Sequence, residues 1–415
     1  MRNIGSIFVI LLIILINFAC TDNSIVYPEF GSQGTLVNTQ ELNESTSKKL
    51  EGIYTISDGS DHFGTRAVII ANGTFISILC EMNSSYFILQ AGSKDSTIYT
   101  EGYWRFAETD NNASAALKIE KSNGATDILY SDTAKNSIII SGTYISSSGS
   151  SKTITLTYQK PISKRNSDFK IIAHRGGGRN SDKLPHSENS AELMVIANRF
   201  GANAIEIDVQ ITKDQIPIIY HDHNFSTRLI KGEFLIGPIS NFTLRQIKTF
   251  GTLINDEPIP TLEEALDSII NKTNLKLVWI DTKDAAAVAS TIQIIQKYQT
   301  IANSLGKTIE ICIGIPSVEV LNEFMKVEGF KNIKSICELS VQTVKDINAL
   351  AFGLPWTLGT MKTELAELHS IRKKGFVWTL DEQVFIDKFL QTSDFDGIVT
   401  NYPSVVAFKY YTKDE

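Results

Sequence analysis

From Lys170 onward, apolar segments of strand length alternate with segments of helical period, and this alternation restricts the fold more than any other feature. Strand candidates fall at 170–173, 204–209, 216–220, 275–280, 309–315, 335–339, 375–379 and 397–400. Helical spacing runs through 190–200, 261–270, 285–298, 318–327 and 363–374. Strand–helix repeats build a parallel sheet covered by helices, and eight strands over about 240 residues predict a (β/α)8 barrel of the TIM type. Segment 349–353 competes with 335–339 for the sixth strand.

Residues 51–160 have a different rhythm. Short alternating runs such as Arg66-Ala67-Val68-Ile69-Ile70 and Tyr86-Phe87-Ile88-Leu89 are punctuated by Asp58-Gly59, Asn72-Gly73 and Asn123-Gly124. Strands separated by such turns predict a small all-β domain, a sandwich or small barrel, ahead of the barrel domain at 168–410. Tyr54, Tyr103, Trp104 and Tyr144 read as core aromatics ahead of a ligand-binding face. Residues 146–151 read as a hairpin tip and 161–167 as a linker, while the polar stretch 21–50 reads as a tether. At the N-terminus, Arg2, the apolar run from Ile7 to Ile16, and Ala19 before Cys20 resemble a bacterial lipoprotein signal peptide. The run is shorter than the roughly 20 residues that span a bilayer. That resemblance implies lipidation of Cys20, a membrane partner reached through the lipid, and a place in the cell envelope.

The chain of 415 residues is 42 % hydrophobic and 20 % charged, which excludes bulk disorder. Its net charge of -7 excludes a non-specific nucleic-acid binder. Cys80, Cys312 and Cys337 have neither disulfide nor zinc spacing and read as buried thiols.

Chemistry gathers where strands end, which in a barrel of this kind is the active-site face. His174-Arg175-Gly176-Gly177-Gly178 follows the first strand, offering an arginine fork and a glycine loop that an anion can approach. In Ala204-Ile205-Glu206-Ile207-Asp208-Val209, alternation sends both carboxylates to one face. Buried carboxylates need a cation, and hard oxygen ligands favour Ca²⁺ or Mg²⁺ over zinc. His221-Asp222-His223 supplies a second strand-end histidine, either for an acid–base pair or for a metal pair whose only later histidine, His369, falls in a helical segment. Asp281 and Lys283 end a further strand on one face, a third carboxylate for a cation and an ammonium for a phosphoryl oxygen.

His174-Arg175-Gly176, Glu188-Asn189-Ser190, Glu206-x-Asp208 and His221-Asp222, in this order, resemble the glycerophosphodiester phosphodiesterases. The similarity continues through Ile259-Pro260-Thr261-Leu262-Glu263-Glu264 and ends at Val377-Trp378-Thr379 and Asp396-Gly397-Ile398-Val399-Thr400-Asn401. The resemblance implies His174 and His221 as catalytic acid and base, roles unassigned. It implies one divalent cation, Ca²⁺ or Mg²⁺, on Glu206 and Asp208, with Asp281 as third ligand. Arg175, Lys283, Trp378 and Glu188 are expected on the substrate side, Glu188 as support or ligand. The implied reaction is metal-dependent hydrolysis of a small-molecule phosphodiester to sn-glycerol 3-phosphate and an alcohol. A related barrel phospholipase acting on a larger lipid phosphodiester, or a non-catalytic surface binding protein, are the alternatives. Asp281 stands where many relatives have Glu, Asn401 where Asp is common, and the 176–185 loop is longer than usual.

Overall fold

The computed structural model describes residues 34–131, 138–165 and 167–413, so residues 1–20, Cys20 and the first part of the expected tether lie outside the described residues. Among the described residues, nine strands come first. They are β1 (Gln40–Glu41), β2 (Gly52–Ile56), β3 (Arg66–Asn72), β4 (Phe75–Cys80), β5 (Ser85–Lys94), β6 (Thr97–Phe106), β7 (Asn112–Ile119), β8 (Ile139–Ile145) and β9 (Ser151–Lys160). From β2 onward each pairs antiparallel with the next, and β2 also pairs with β9, so β2–β9 curl into a closed meander, with β1 added beside β5. Three short helices attach to it, α1 (Glu44–Lys48), α2 (Ser60–Phe63) and α3 (Ala125–Tyr130).

Both faces of β3 and β4 are buried. Ala67, Ile69, Ile76 and Ile78 point into the meander with Tyr54, Trp104 and Tyr144, which are core residues. Val68, Ile70 and Leu79 point outward, into the core of the second half of the chain. The tether reading fails from Gln40 onward: β1 pairs with β5, and Leu42 and Leu50 are buried inside the meander. Two apolar anchors in a polar stretch are too few to give a period.

The second half holds β10 (Lys170–Ala173), β11 (Ala204–Ile211), β12 (Pro217–Ile219), the ribbon strands β13 (Asn224–Phe225), β14 (Ile230–Lys231), β15 (Gly237–Pro238) and β16 (Thr252–Leu253), then β17 (Leu277–Thr282), β18 (Glu310–Ile315), β19 (Ser335–Cys337), β20 (Ala351–Pro355), β21 (Lys374–Trp378) and β22 (Gly397–Thr400). Parallel pairing runs β10, β11, β17, β18, β19, β20, β21, β22 and back to β10, a closed barrel of eight strands. Helices α4 (Ala191–Ile196), α5 (Leu244–Phe250), α6 (Leu262–Lys272), α7 (Val288–Ser304), α8 (Val318–Met325), α9 (Val341–Asp346), α10 (Lys362–Ser370), α11 (Gln383–Thr392) and α12 (Pro403–Thr412) accompany it.

The eight strands are not the eight expected. Segment 216–220 becomes β12, antiparallel to β11 and outside the parallel ring, whereas 335–339 and 349–353 both contribute strands to it. The few residues between β11 and β12 are too short for a parallel crossover, which needs a dozen or more.

Local signals explain the helix placement. Thr261 Oγ1 accepts from the Glu264 N–H at 3.1 Å and Glu264 accepts from the Thr261 N–H at 2.8 Å, a reciprocal cap that starts α6. Leu262, Ala265, Leu266 and Ile269 then lie on its buried face. Ile172, Leu277, Trp279, Ile336 and Phe376 fill the barrel interior. Between the two halves, Tyr86 meets Phe200 edge-on with ring centroids 5.7 Å apart. Gly201 has φ +91°, and a Cβ there would stand 2.7 Å from the Ala407 Cβ, so this junction requires glycine.

Candidate active site

Strand β10 hands His174 and Arg175 to a tight turn at the C-terminal mouth of the parallel barrel. Arg175 has φ +52°, a conformation that a non-glycine residue keeps only when its surroundings hold it. Its N–H donates to Glu206 Oε2 at 2.8 Å and its Nη1 to Glu188 Oε1 at 2.7 Å. The glycines that follow serve packing more than anion approach. A Cβ on Gly176 would lie 2.9 Å from Met194 Cγ, and one on Gly177 2.6 Å from Leu193 Cγ, so both let α4 close on the loop.

Glu206, Asp208 and Asp281, from the adjacent strands β11 and β17, each offer a carboxylate oxygen, and these lie within 4.8 Å of one another. Burial raises the Glu206 pKa, and Asp208 and Asp281 add repulsion. Burial likewise raises Asp281, against the pull of Lys283. For Asp208 the burial penalty is overcome by Lys283, His221 and Arg175, which hold it ionised. Lys283 Nζ stands 3.0 Å from Asp208 Oδ1 and is also paired with Asp281. Asn189, itself at φ +63°, donates from Nδ2 to Asp208 Oδ2 at 2.7 Å. The buried Oδ1 atoms of Asp208 and Asp281 receive no directed hydrogen bond. One lysine against three close carboxylates leaves a deficit of positive charge, and the hard oxygen donors fit a divalent cation.

Both histidines line the same cavity, of about 360 Å³. Asn401 Nδ2 donates to Asp381 at 2.7 Å, leaving its Oδ1 to accept from His174 Nδ1 at 2.8 Å. That contact assigns the His174 proton to Nδ1 and leaves the Nε2 lone pair facing Glu206, 3.9 Å away. His221 Nδ1 lies 2.7 Å from Asp222 Oδ1, which fixes that ring in turn. Burial, reinforced by Arg175, pushes the His174 pKa down to about 4. Because the folded-state value is depressed, the stability linked to this group is complete above an unfolded value of about 6.5 and is lost as pH falls towards the folded value. In metal-free protein the His174 ring resonances are expected to titrate near pH 4 by NMR; a midpoint at the ordinary histidine value would contradict this environment.

Arg175, Lys283 and Trp378 also line the cavity. Glu188 does not. It is 2 % exposed, and its carboxylate is taken up by Arg175, Arg228 and the Asn180 N–H, the supporting position of the two that the sequence left open. Glu338, just past β19, lines the cavity and was not anticipated; burial, with Asp281 nearby, raises its pKa to about 8. Its signal was only its place at a strand end. The roles of Asn189, Asp222 and Asn401 were likewise hidden, because amides and aspartates that orient other side chains follow no spacing rule.

Residues 174–405, more than half of the chain, match the model of the glycerophosphoryl diester phosphodiesterase family. The chain belongs to that family. Its members are phosphoric diester hydrolases, and this chain is one. YhdW of Bacillus subtilis (strain 168) is 26 % identical over 255 residues, covering 57 % of this chain and 96 % of that protein. The glycerophosphodiester phosphodiesterase of Caldanaerobacter subterraneus subsp. tengcongensis is 27 % identical over 269 residues, covering 57 % of this chain and 95 % of its own. Among solved structures, an Oleispira antarctica phosphodiesterase in complex with the product sn-glycerol-3-phosphate is 18 % identical, with a TM-score of 0.45 over 57 % of this chain and 94 % of that chain. The shared region is the parallel barrel, so the antiparallel meander of this phosphodiesterase lies outside the family match.

Proposed function

We propose that this phosphodiesterase hydrolyses glycerophosphodiesters to sn-glycerol 3-phosphate and a head-group alcohol, using His174 and His221 as its acid–base pair. The observation that carries this reading is the meeting of two oriented imidazoles in one cavity with Glu206 and Asp281, whose carboxylates cluster with that of the buried Asp208. Glu206, Asp208 and Asp281 would hold one divalent cation, Ca²⁺ or Mg²⁺, which supplies Lewis-acid stabilisation of phosphoryl charge. Arg175, fixed by Glu188, presents its guanidinium to the phosphate, and Lys283 offers its ammonium to another phosphoryl oxygen. His174, neutral with Nε2 unprotonated, takes the proton from the attacking water, or from the substrate's own glycerol hydroxyl, in which case water then opens the cyclic phosphate so formed to glycerol 3-phosphate. His221, oriented by Asp222, returns a proton to the leaving alcohol. Trp378 gives the glycerol end an apolar wall.

Lipid anchoring at Cys20, on the envelope side of a bacterial membrane, belongs to the same proposal and rests on Arg2, the apolar run and Ala19-Cys20. Among the described residues no helix is long and apolar enough to cross a membrane.

Product analysis with glycerophosphocholine tests the reaction. The expected products are sn-glycerol 3-phosphate and choline. Glycerol with phosphocholine, or no cleavage by folded protein, would overturn it.

A further inference from the structure

The antiparallel meander touches the active-site face through a buried arginine. Arg105, near the end of β6, is fully buried, and its guanidinium leaves the meander to cap two backbone carbonyls of the loop that follows His174. Nη1 donates to the Lys183 carbonyl at 2.6 Å and Nη2 to the Asp182 carbonyl. Burying a guanidinium is costly unless acceptors are already in place, so this cap holds the loop in one conformation.

From that loop an unbroken line of polar contacts runs to the histidine. The Asp182 carboxylate accepts from the Arg179 N–H at 2.7 Å, from Arg179 Nη2 at 2.9 Å and from the Tyr402 hydroxyl at 3.1 Å. Arg179 Nη2 pairs with Asp381 at 3.8 Å. Asp381 accepts from both the backbone N–H (2.8 Å) and the side-chain amide (2.7 Å) of Asn401, and Asn401 Oδ1 accepts from His174 Nδ1. The Asn401 amide can serve His174 in only one orientation, and Asp381 selects it.

We propose that Arg105 is a positioning residue for His174: the meander acts as a buttress that keeps the Asp182–Arg179–Asp381–Asn401 line in register and so sets the tautomer and aim of the imidazole. This rests on His174 being catalytic. Lysine in place of Arg105 offers a compact ammonium without the fork that spans two carbonyls. Asp110 supplies the contrast, since its pair with Lys183 at 2.6 Å joins the meander to the same loop at the surface, outside the line.

The test combines Arg105→Lys, Asp381→Asn, the double variant and Asp110→Ala in the full chain, with glycerophosphocholine turnover and the exchange rate of the His174 Nδ1 proton by NMR. Arg105→Lys is expected to lower kcat about tenfold with KM within about twofold, as for a misaimed catalytic group. The double variant is expected to be no worse than the worse single variant, because both break one line. Asp110→Ala is expected to keep wild-type kcat. Arg105→Lys should also speed exchange of the His174 ring proton, a readout that needs no turnover, so failure of the hydrolase reading and failure of the buttress are separable. Losses that multiply in the double variant, or unchanged exchange in folded Arg105→Lys, would overturn the proposal. If Arg105→Lys unfolds, Asp182→Asn breaks the same line from the parallel-barrel side and is read by the same exchange rate.

Discussion

His221→Ala is expected to slow hydrolysis of glycerophosphocholine by about 10²–10⁴-fold, the range typical of a general acid or base. Its ring lines the cavity and is only partly buried, so truncation leaves the barrel interior intact. The roles of the two histidines separate by leaving group. Choline leaves as a poor alkoxide and needs a proton, whereas p-nitrophenolate leaves without one. His221→Ala should therefore recover most of its activity on glycerophospho-p-nitrophenol, while His174→Ala stays slow on both substrates. Recovery of His174→Ala alone would reverse the assignment of His221 as acid, and equal recovery in the two variants would erase it.

Glu206→Gln should move activity and stability in opposite directions. Glu206 is 5 % exposed and is crowded by Asp208 and Asp281, so its charge works against the metal-free fold. Glutamine keeps an oxygen to accept from the Arg175 N–H, 2.8 Å away in the native protein, and removes the repulsion. Metal-free Glu206→Gln is expected to melt at or above the wild-type temperature. Added Ca²⁺ or Mg²⁺ should raise the melting temperature of the wild type by mass action but not that of the variant. Turnover should fall by about 10²-fold or more, since the phosphoryl charge loses its stabilisation. A variant with wild-type turnover and a wild-type metal-induced shift would remove Glu206 from the cation site.

Strand-end residues were the legible part of this site because a parallel barrel delivers every strand end to one face. His174, Arg175, Glu206, His221, Asp281 and Lys283 line one cavity, and the buried Asp208 clusters with its Glu206 and Asp281. What sequence patterns hid is of two kinds. Partner choice in a sheet is non-local, so the apolar run ending at Tyr220 reads the same whether it joins the parallel ring or folds back on β11. Orienting contacts are also non-local: Asn401 lies 227 residues from the His174 that it holds, and Arg105 lies 78 from the Lys183 carbonyl that it caps. Leu42 and Leu50 show the same limit in the segment read as a tether, where burial depends on a sheet formed by later residues.

Chelator-stripped protein, titrated with Ca²⁺ or Mg²⁺ while bound cation and glycerol 3-phosphate release are followed together, tests most directly whether the carboxylates and histidines work as one site. The prediction is loss of activity on stripping and recovery in proportion to occupancy, saturating at one cation per chain. Full activity in stripped protein with no bound cation would contradict it.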